Sequence, residues 1–229
     1  MQLTPEDRAV LSKTPMLKLA PEHIREAVLA EAVIEEAPKK ATLFNEGDPA
    51  TCFYIVIRGW VSIYRLSADG KRANIGLFGP GESFGEAAMF LSMRFPVNGE
   101  VVENARLARM EARAMRRVIE NDPAVAFALL GSMSRHLRGL VDQIASDRLL
   151  SADQRVARFL LNLHRGDGEA AKVRLPCEKV VIASALGLTP EALSRAFASL
   201  RSVGVEVSRR DIAISDIARL RRLATAGDQ

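Results

Sequence analysis

The pattern of apolar and polar positions changes period three times along the chain. Residues 4–13 (TPEDRAVLSK) predict a short helix, with Thr4 as N-cap and Pro5 at the first helical position. Residues 21–36 (PEHIREAVLAEAVIEE) predict a second helix, with Ile24, Val28 and Leu29 on one face. From Lys39 the runs become short. Leu43/Phe44, FYIVI (53–57), VSIYRL (61–66) and ANIGLF (73–78) are apolar or alternating, and EGD (46–48), Gly59, ADG (68–70) and GPGE (79–82) punctuate them. Short strands separated by turn residues predict an antiparallel sandwich or barrel, with more strand over 99–111.

Helix returns near Ala114, and Asn121-Asp122-Pro123 starts a long helix running to about Arg148. Within it Leu130, Met133, Leu137, Leu140 and Ile144 are spaced 3, 4, 3, 4, an a/d stripe over two heptads. The stripe packs either on the chain's own core or on a partner. A helix of ~25 residues is ~38 Å long, more than a small roll covers, which favours a dimer seam. LLSADQRV (149–156) breaks the period, and Ser151 caps a helix over 152–165. A turn at Gly166-Asp167-Gly168 leads to a strand in VRLP (173–176) and two short helices. A hairpin over 205–215 turns at Arg209-Arg210, and Ser215 caps a last helix, 216–224. The expected organisation is a β-rich unit with N-terminal helices over 1–120, a dimerisation helix over 121–149 and a third unit over 150–229.

Charge sharpens this division. The 229 residues carry a net +4, yet residues 1–149 are balanced, with 19 Lys/Arg and 19 Asp/Glu. Residues 150–229 hold 13 Lys/Arg against 9 Asp/Glu. The excess therefore sits in the C-terminal third, as a solvated basic face or as the surface for a polyanion. Cys52 and Cys177 are too few for a disulfide framework, a four-cysteine cluster or a CxxC zinc site. No apolar run reaches the ~20 residues of a membrane span, and the first residues lack the features of a secretory signal. The expected location is the cytoplasm, with no membrane partner.

Residues 179–198 carry the most specific pattern. Two helices crossing through a tight turn need a small residue where they touch, a glycine in the turn and apolar residues at fixed offsets. With Gly187 as the turn, Ala183 is the contact and Ile182, Leu186, Leu188, Leu193 and Ala196 fill the apolar slots. Thr189-Pro190-Glu191 starts the second helix as cap, first-turn proline and first-turn acid. Leu193, Ala196, Phe197 and Leu200 form its core face, and Glu191, Ser194, Arg195 and Ala198 the opposite one. Arginine matches guanine O6 and N7, glutamate accepts from cytosine N4, and small residues allow close approach to bases. Arg201, Arg209 and Arg210 are placed for phosphates. A helix-turn-helix with a strand before it and a hairpin after it is a winged helix. The predicted class is thus α+β: an antiparallel sandwich or barrel, a long dimerisation helix and a C-terminal winged helix-turn-helix.

The chain resembles the CRP/FNR superfamily of bacterial transcription regulators. The resemblance rests on FNEGD, FYIVIRGWVSIYRL and GPGESFGEAAMF in the roll, then on the long helix and the winged helix. EALSR (191–195) is similar to the recognition motif of the FNR-type branch, while VSIYRLSADGK, GEAAMF and RVARFLLNL look most like denitrification regulators of the DNR type. The resemblance implies that the N-terminal part is a cyclic-nucleotide-binding-like β-roll (jelly roll) serving as a sensor domain, and that the chain is a homodimer that reads a TTGAT…ATCAA-like palindrome in double-stranded DNA and recruits or hinders RNA polymerase.

For the effector, the resemblance points to Gly85, Glu86, Arg94, Val97 and Asn98. Cyclic-nucleotide members of the superfamily place an arginine on the phosphate about ten residues after the Gly-Glu pair. Here that position is Pro96, with Arg94 two residues away. Cyclic AMP is therefore not expected to bind. The denitrification resemblance brings in a gas effector, nitric oxide sensed through haem, and the candidate ligands would be His23, His136 and His164. No metal site is assigned. The alternatives are a cyclic-nucleotide-responsive regulator of the same fold and a sensor module without a gene-regulatory role. GxSxG, HExxH and Walker motifs are absent, so no enzyme is expected.

Overall fold

The computed structural model describes residues 3–18, 20–91, 93–127, 129–131, 134, 137–138, 141, 150–164 and 168–225. The chain divides into two compact units, Met1–Gly139 and Leu140–Gln229.

The first unit opens with α1 (Pro5–Leu11), whose Thr4 cap is reciprocal: Thr4 Oγ1 accepts from the Asp7 amide and Asp7 Oδ2 from the Thr4 amide. In α2 (Glu22–Ala30), Ile24, Val28 and Leu29 are buried. The helix predicted to continue to Glu36 stops at Ala30, because Ala32–Ala37 is a strand, β1. Pairing with residues 105–110 overrides the helix-forming tendency of its Ala and Glu. There follow β2 (Thr42–Phe44), β3 (Cys52–Leu66), β4 (Arg72–Phe78), β5 (Ser83–Phe84), α3 (Glu86–Leu91), β6 (Asn98–Glu111) and α4 (Ala112–Asn121).

The long strands β3 and β6 pair antiparallel and form the spine of the sheet. At one end β1 lies beside β6 and β5 beside β3; at the other β2 lies beside β6 and β4 beside β3. The runs expected as two strands, 53–57 and 61–66, are one strand, in which Gly59 is a bulge at φ +81° rather than a turn. A Cβ there would overlap the Asn104 carbonyl oxygen on β6, so close backbone approach demands glycine.

Residues 52–57 are all buried because β3 is covered on both faces. Phe53, Ile55 and Ile57 meet Leu11, Leu17, Ile24, Leu29, Met115, Val125 and Leu129. Cys52, Tyr54 and Val56 face the inside of the roll with Phe44, Phe84, Phe95 and Leu107. Arg106 of β6 ties α1 to the sheet, binding Asp7 with Nε and Nη2 and Glu36 with Nη1, all at 2.8 Å.

After Pro123 the described residues 124–127, 129–131, 134, 137, 138 and 141 are helical. Asp122 Oδ1 accepts from the Ala124 amide at 2.9 Å at the start of this segment.

The second unit contains α5 (Ala152–Leu163), β7 (Ala171–Arg174), α6 (Lys179–Ala185), α7 (Pro190–Ser199), a short 3-10 turn (Leu200–Val203), β8 (Val205–Ser208), β9 (Asp211–Ile214) and α8 (Ile217–Thr225). A reciprocal cap between Ser151 and Gln154 starts α5. The strand expected over 173–176 begins earlier and ends at Arg174. The sheet order is β7-β9-β8, antiparallel throughout. The β8–β9 turn falls at Arg209-Arg210, with Arg209 at φ +56°. Ser215 does not cap the last helix: Asp216 Oδ1 accepts from the Arg219 amide, and Ser215 Oγ donates to the Gly204 carbonyl.

Candidate nucleic-acid interface and effector region

Helices α6 and α7 bend by 94° across their connection. Gly187 takes φ +63° in the turn, and the Leu188 amide closes it on the Ala183 carbonyl at 2.8 Å. Ala183 and Ile182 are fully buried, as a close helix crossing requires. At Thr189 the side chain accepts from the Ala192 amide at 3.2 Å, capping α7 ahead of Pro190.

Helix α7 separates its faces. Leu193, Ala196 and Phe197 are buried, with Leu200 just beyond, while Glu191, Ser194, Arg195 and Ala198 are exposed. Ser194 returns its hydroxyl to the Pro190 carbonyl at 2.9 Å. Its own backbone amide, the Thr189 side chain and the nearby Arg195 charge hold the Glu191 carboxyl below its usual range. An ionised acid in the first turn also suits the helix dipole. Lys179 lies over the Phe197 ring, 5.4 Å from its centroid. Arg201 and Arg209 are exposed. Arg210 is half-buried and donates from Nε and Nη2 to the Leu175 carbonyl at 3.0 and 2.7 Å, so its role includes fastening the hairpin turn to the end of β7.

Two contacts made by α5 were not anticipated from the sequence. Arg155 Nη1 donates to the Leu186 carbonyl at 3.0 Å and approaches that of Gly187 at 3.4 Å. Asp153 Oδ2 accepts from Ser199 Oγ at 2.6 Å. Nothing in the pattern of ADQRV marks these side chains, because their partners lie more than 30 residues away.

In the roll, Gly85 sits at φ +91°, and a Cβ on it would press on the Phe95 ring. Phe95 stacks on Phe44 with centroids 3.8 Å apart, and Tyr54 on Phe84 at 5.4 Å. Of these rings, Phe95 lies directly against Gly85. Glu86 Oε1 accepts from Ser83 Oγ at 2.8 Å. Arg94 is exposed and gives Nη1 to the Gly47 carbonyl at 2.6 Å. Val97 packs on the aromatic core. Asn98 is buried; its Oδ1 accepts from the Glu46 amide and its Nδ2 donates to the Tyr64 carbonyl.

Of the stripe, Leu130 and Leu137 are 59% and 62% exposed within the single chain, and Phe127 and Val141 of the same segment are also exposed. Met133, Leu140 and Ile144 lie outside the described residues, as does His136. His23 is exposed and faces Asp122 at 3.1 Å, and His164 ends α5 in the second unit, its Nε2 buried without a partner. The described residues bring no histidine to the inside of the roll. Among them no three metal-ligating side chains cluster, and no single helix is long and apolar enough to cross a membrane.

Comparison with known proteins agrees with this architecture. Residues 34–122 match the cyclic nucleotide-binding domain and residues 154–223 the Crp-like helix-turn-helix domain. The nitrogen fixation regulation protein FixK of Bradyrhizobium diazoefficiens is 32% identical over 190 residues, spanning 81% of this chain and 79% of that protein. A CRP-like cAMP-activated global transcriptional regulator of Mycobacterium tuberculosis is 29% identical over 192 residues, 82% of this chain and 86% of its own. The crystal structure of DNR from Pseudomonas aeruginosa superposes with a TM-score of 0.54 at 29% identity, covering 97% of this chain and all of that one, in line with the expected branch. These relatives are regulators, not enzymes. A roll, a winged helix and relatives of this kind have one common reading: the chain belongs to the CRP/FNR family of DNA-binding transcription regulators.

Proposed function

We propose that the chain acts as a homodimer that reads a TTGAT-like inverted repeat and, under control of an effector bound by the roll, recruits or hinders RNA polymerase. The observation that carries this reading is the outer face of α7, where Glu191, Ser194, Arg195 and Ala198 are exposed while the opposite face is buried. Arg195 pairs bidentately with the guanine of the half-site. Glu191 accepts from the cytosine opposite or steadies Arg195. Arg201, Arg209 and Arg210 attend to phosphates.

Dimerisation is supported by Leu130 and Leu137, one heptad apart and uncovered within the chain. Two-fold symmetry then sets half-site centres about one helical turn, ~34 Å, apart. The Phe95 ring against Gly85 and the engagement of Arg94 with Gly47 support an effector other than a cyclic nucleotide. A small molecule or gas remains the class of ligand.

The test is fluorescence anisotropy on three duplexes: an inverted repeat of TTGAT, a single half-site and a scrambled sequence. The reading expects two chains per inverted repeat and at least about tenfold weaker binding to the scrambled duplex. Equal affinity for all three contradicts it.

A further inference from the structure

We infer that Asp153 and Arg155 clamp the helix pair at two points and so set the tilt at which α7 is presented to DNA. Both are positioning residues, and the inference rests on the reading that α7 contacts bases.

The argument starts at the helix ends. The last carbonyls of α6 have no partner within the helix, and they form the negative end of its dipole. Arg155, in the first turn of α5, places its guanidinium just past that end, on the carbonyls of the C-cap Leu186 and of Gly187. Two residues earlier on the same helix, Asp153 receives the hydroxyl of Ser199, the last residue of α7. One contact is thus at the turn that leads into α7 and the other at its far end. Ten residues of helix, ~15 Å, lie between them. A rod held at one end pivots; a rod held at both follows its support.

That support is firm, since Val156, Ala157 and Leu160 of α5 are completely buried. The apolar contacts of Leu193, Ala196 and Phe197 keep α7 on the core, but apolar burial is non-directional and tolerates small rotations. Hydrogen bonds from a planar guanidinium and to a carboxylate are directional. Base readout needs placement within about 0.5 Å and 10–20°, whereas attraction to phosphates depends on charge. The clamp therefore acts on discrimination between sequences and leaves general affinity for DNA alone.

The experiment first lets the wild-type chain select its best palindrome from a random duplex pool. Discrimination, the ratio of affinities for that palindrome and for a scrambled duplex, is then measured for three variants. Ser199→Ala alters no charge and lies on the surface; discrimination should fall about fivefold to tenfold with the circular-dichroism melt unchanged. Arg155→Ala should lower it more than tenfold. Arg155→Lys keeps the charge and one carbonyl contact, and should restore part of that loss. In all three, affinity for the scrambled duplex should stay within about threefold of wild type, since phosphate attraction is what that duplex reports. If folded Ser199→Ala and Arg155→Lys both keep the wild-type ratio, the clamp is overturned. It is also overturned if both affinities fall together. A wild-type chain that selects no palindrome overturns the base-reading role of α7 and the clamp with it.

Discussion

Asp7 shows how a single residue joins two parts of the first unit. It is 3% exposed, caps α1 and meets Arg106 on β6. The hydrogen bonds from Arg106 hold its carboxyl well below the usual carboxylate range. Folding therefore favours the ionised form. The stabilisation is complete above the unfolded-state pKa of ~3.9 and is lost as pH falls from there towards the folded value. Asp7→Asn should cost about 3 kcal/mol at neutral pH, towards the low end of the range because Glu36 still faces Arg106. Its melting temperature should also fall less than wild type's between about pH 5 and pH 3. An unchanged acid slope would mean that another group titrates. At the DNA face, Arg209→Ala should weaken binding to all sequences alike and reduce the slope of log affinity on log salt by about one. A loss confined to one base pair would move Arg209 from the phosphates to the bases. The faces of α7 were legible because one helix with a capped start leaves little freedom. Arg155 and Asp153 were not, because their roles exist only once distant segments meet.

Among the elements, α1 and the two helices of the helix-turn-helix match their predicted positions, since caps, prolines and Gly187 mark the ends chemically. Element β1 was hidden. AVIEEA offers only Val33 and Ile34 as strand formers, and its conformation comes from β6, some 70 residues on. Gly59 misled in the opposite way: it reads as a turn, yet it serves close strand approach. The helix after Pro123 makes the prediction that belongs here. Leu137→Asp would place an unpaired charge in the proposed seam, at a cost of several kcal/mol to association. Sedimentation should then show a monomer at micromolar concentration. A mutant that remains a dimer would locate the seam elsewhere.

For the molecule as a whole, residues 1–149 are charge-balanced and the excess positive charge lies beyond residue 150, on the side of the Crp-like helix-turn-helix match, as the proposed DNA contact requires. The resemblance leads to the expectation that no arginine meets a cyclic phosphate, since Pro96 stands where one would be; in the structure Phe95 lies against Gly85 and stacks on Phe44. Seating a cyclic nucleotide would leave its phosphate without a cation, a penalty of roughly 3 kcal/mol, or about a hundredfold in affinity. Isothermal titration with cyclic AMP should therefore show no low-micromolar binding, and a clear isotherm in that range would refute the assignment. The most direct measurement concerns Arg195. Palindromes substituted at each base pair in turn compete for wild-type protein and for Arg195→Ala. The account predicts a loss of about 1–3 kcal/mol per half-site in the variant, with its preference abolished at the guanine position and kept elsewhere. An equal loss on every palindrome would show that Arg195 only positions the helix, and would contradict base reading by this face.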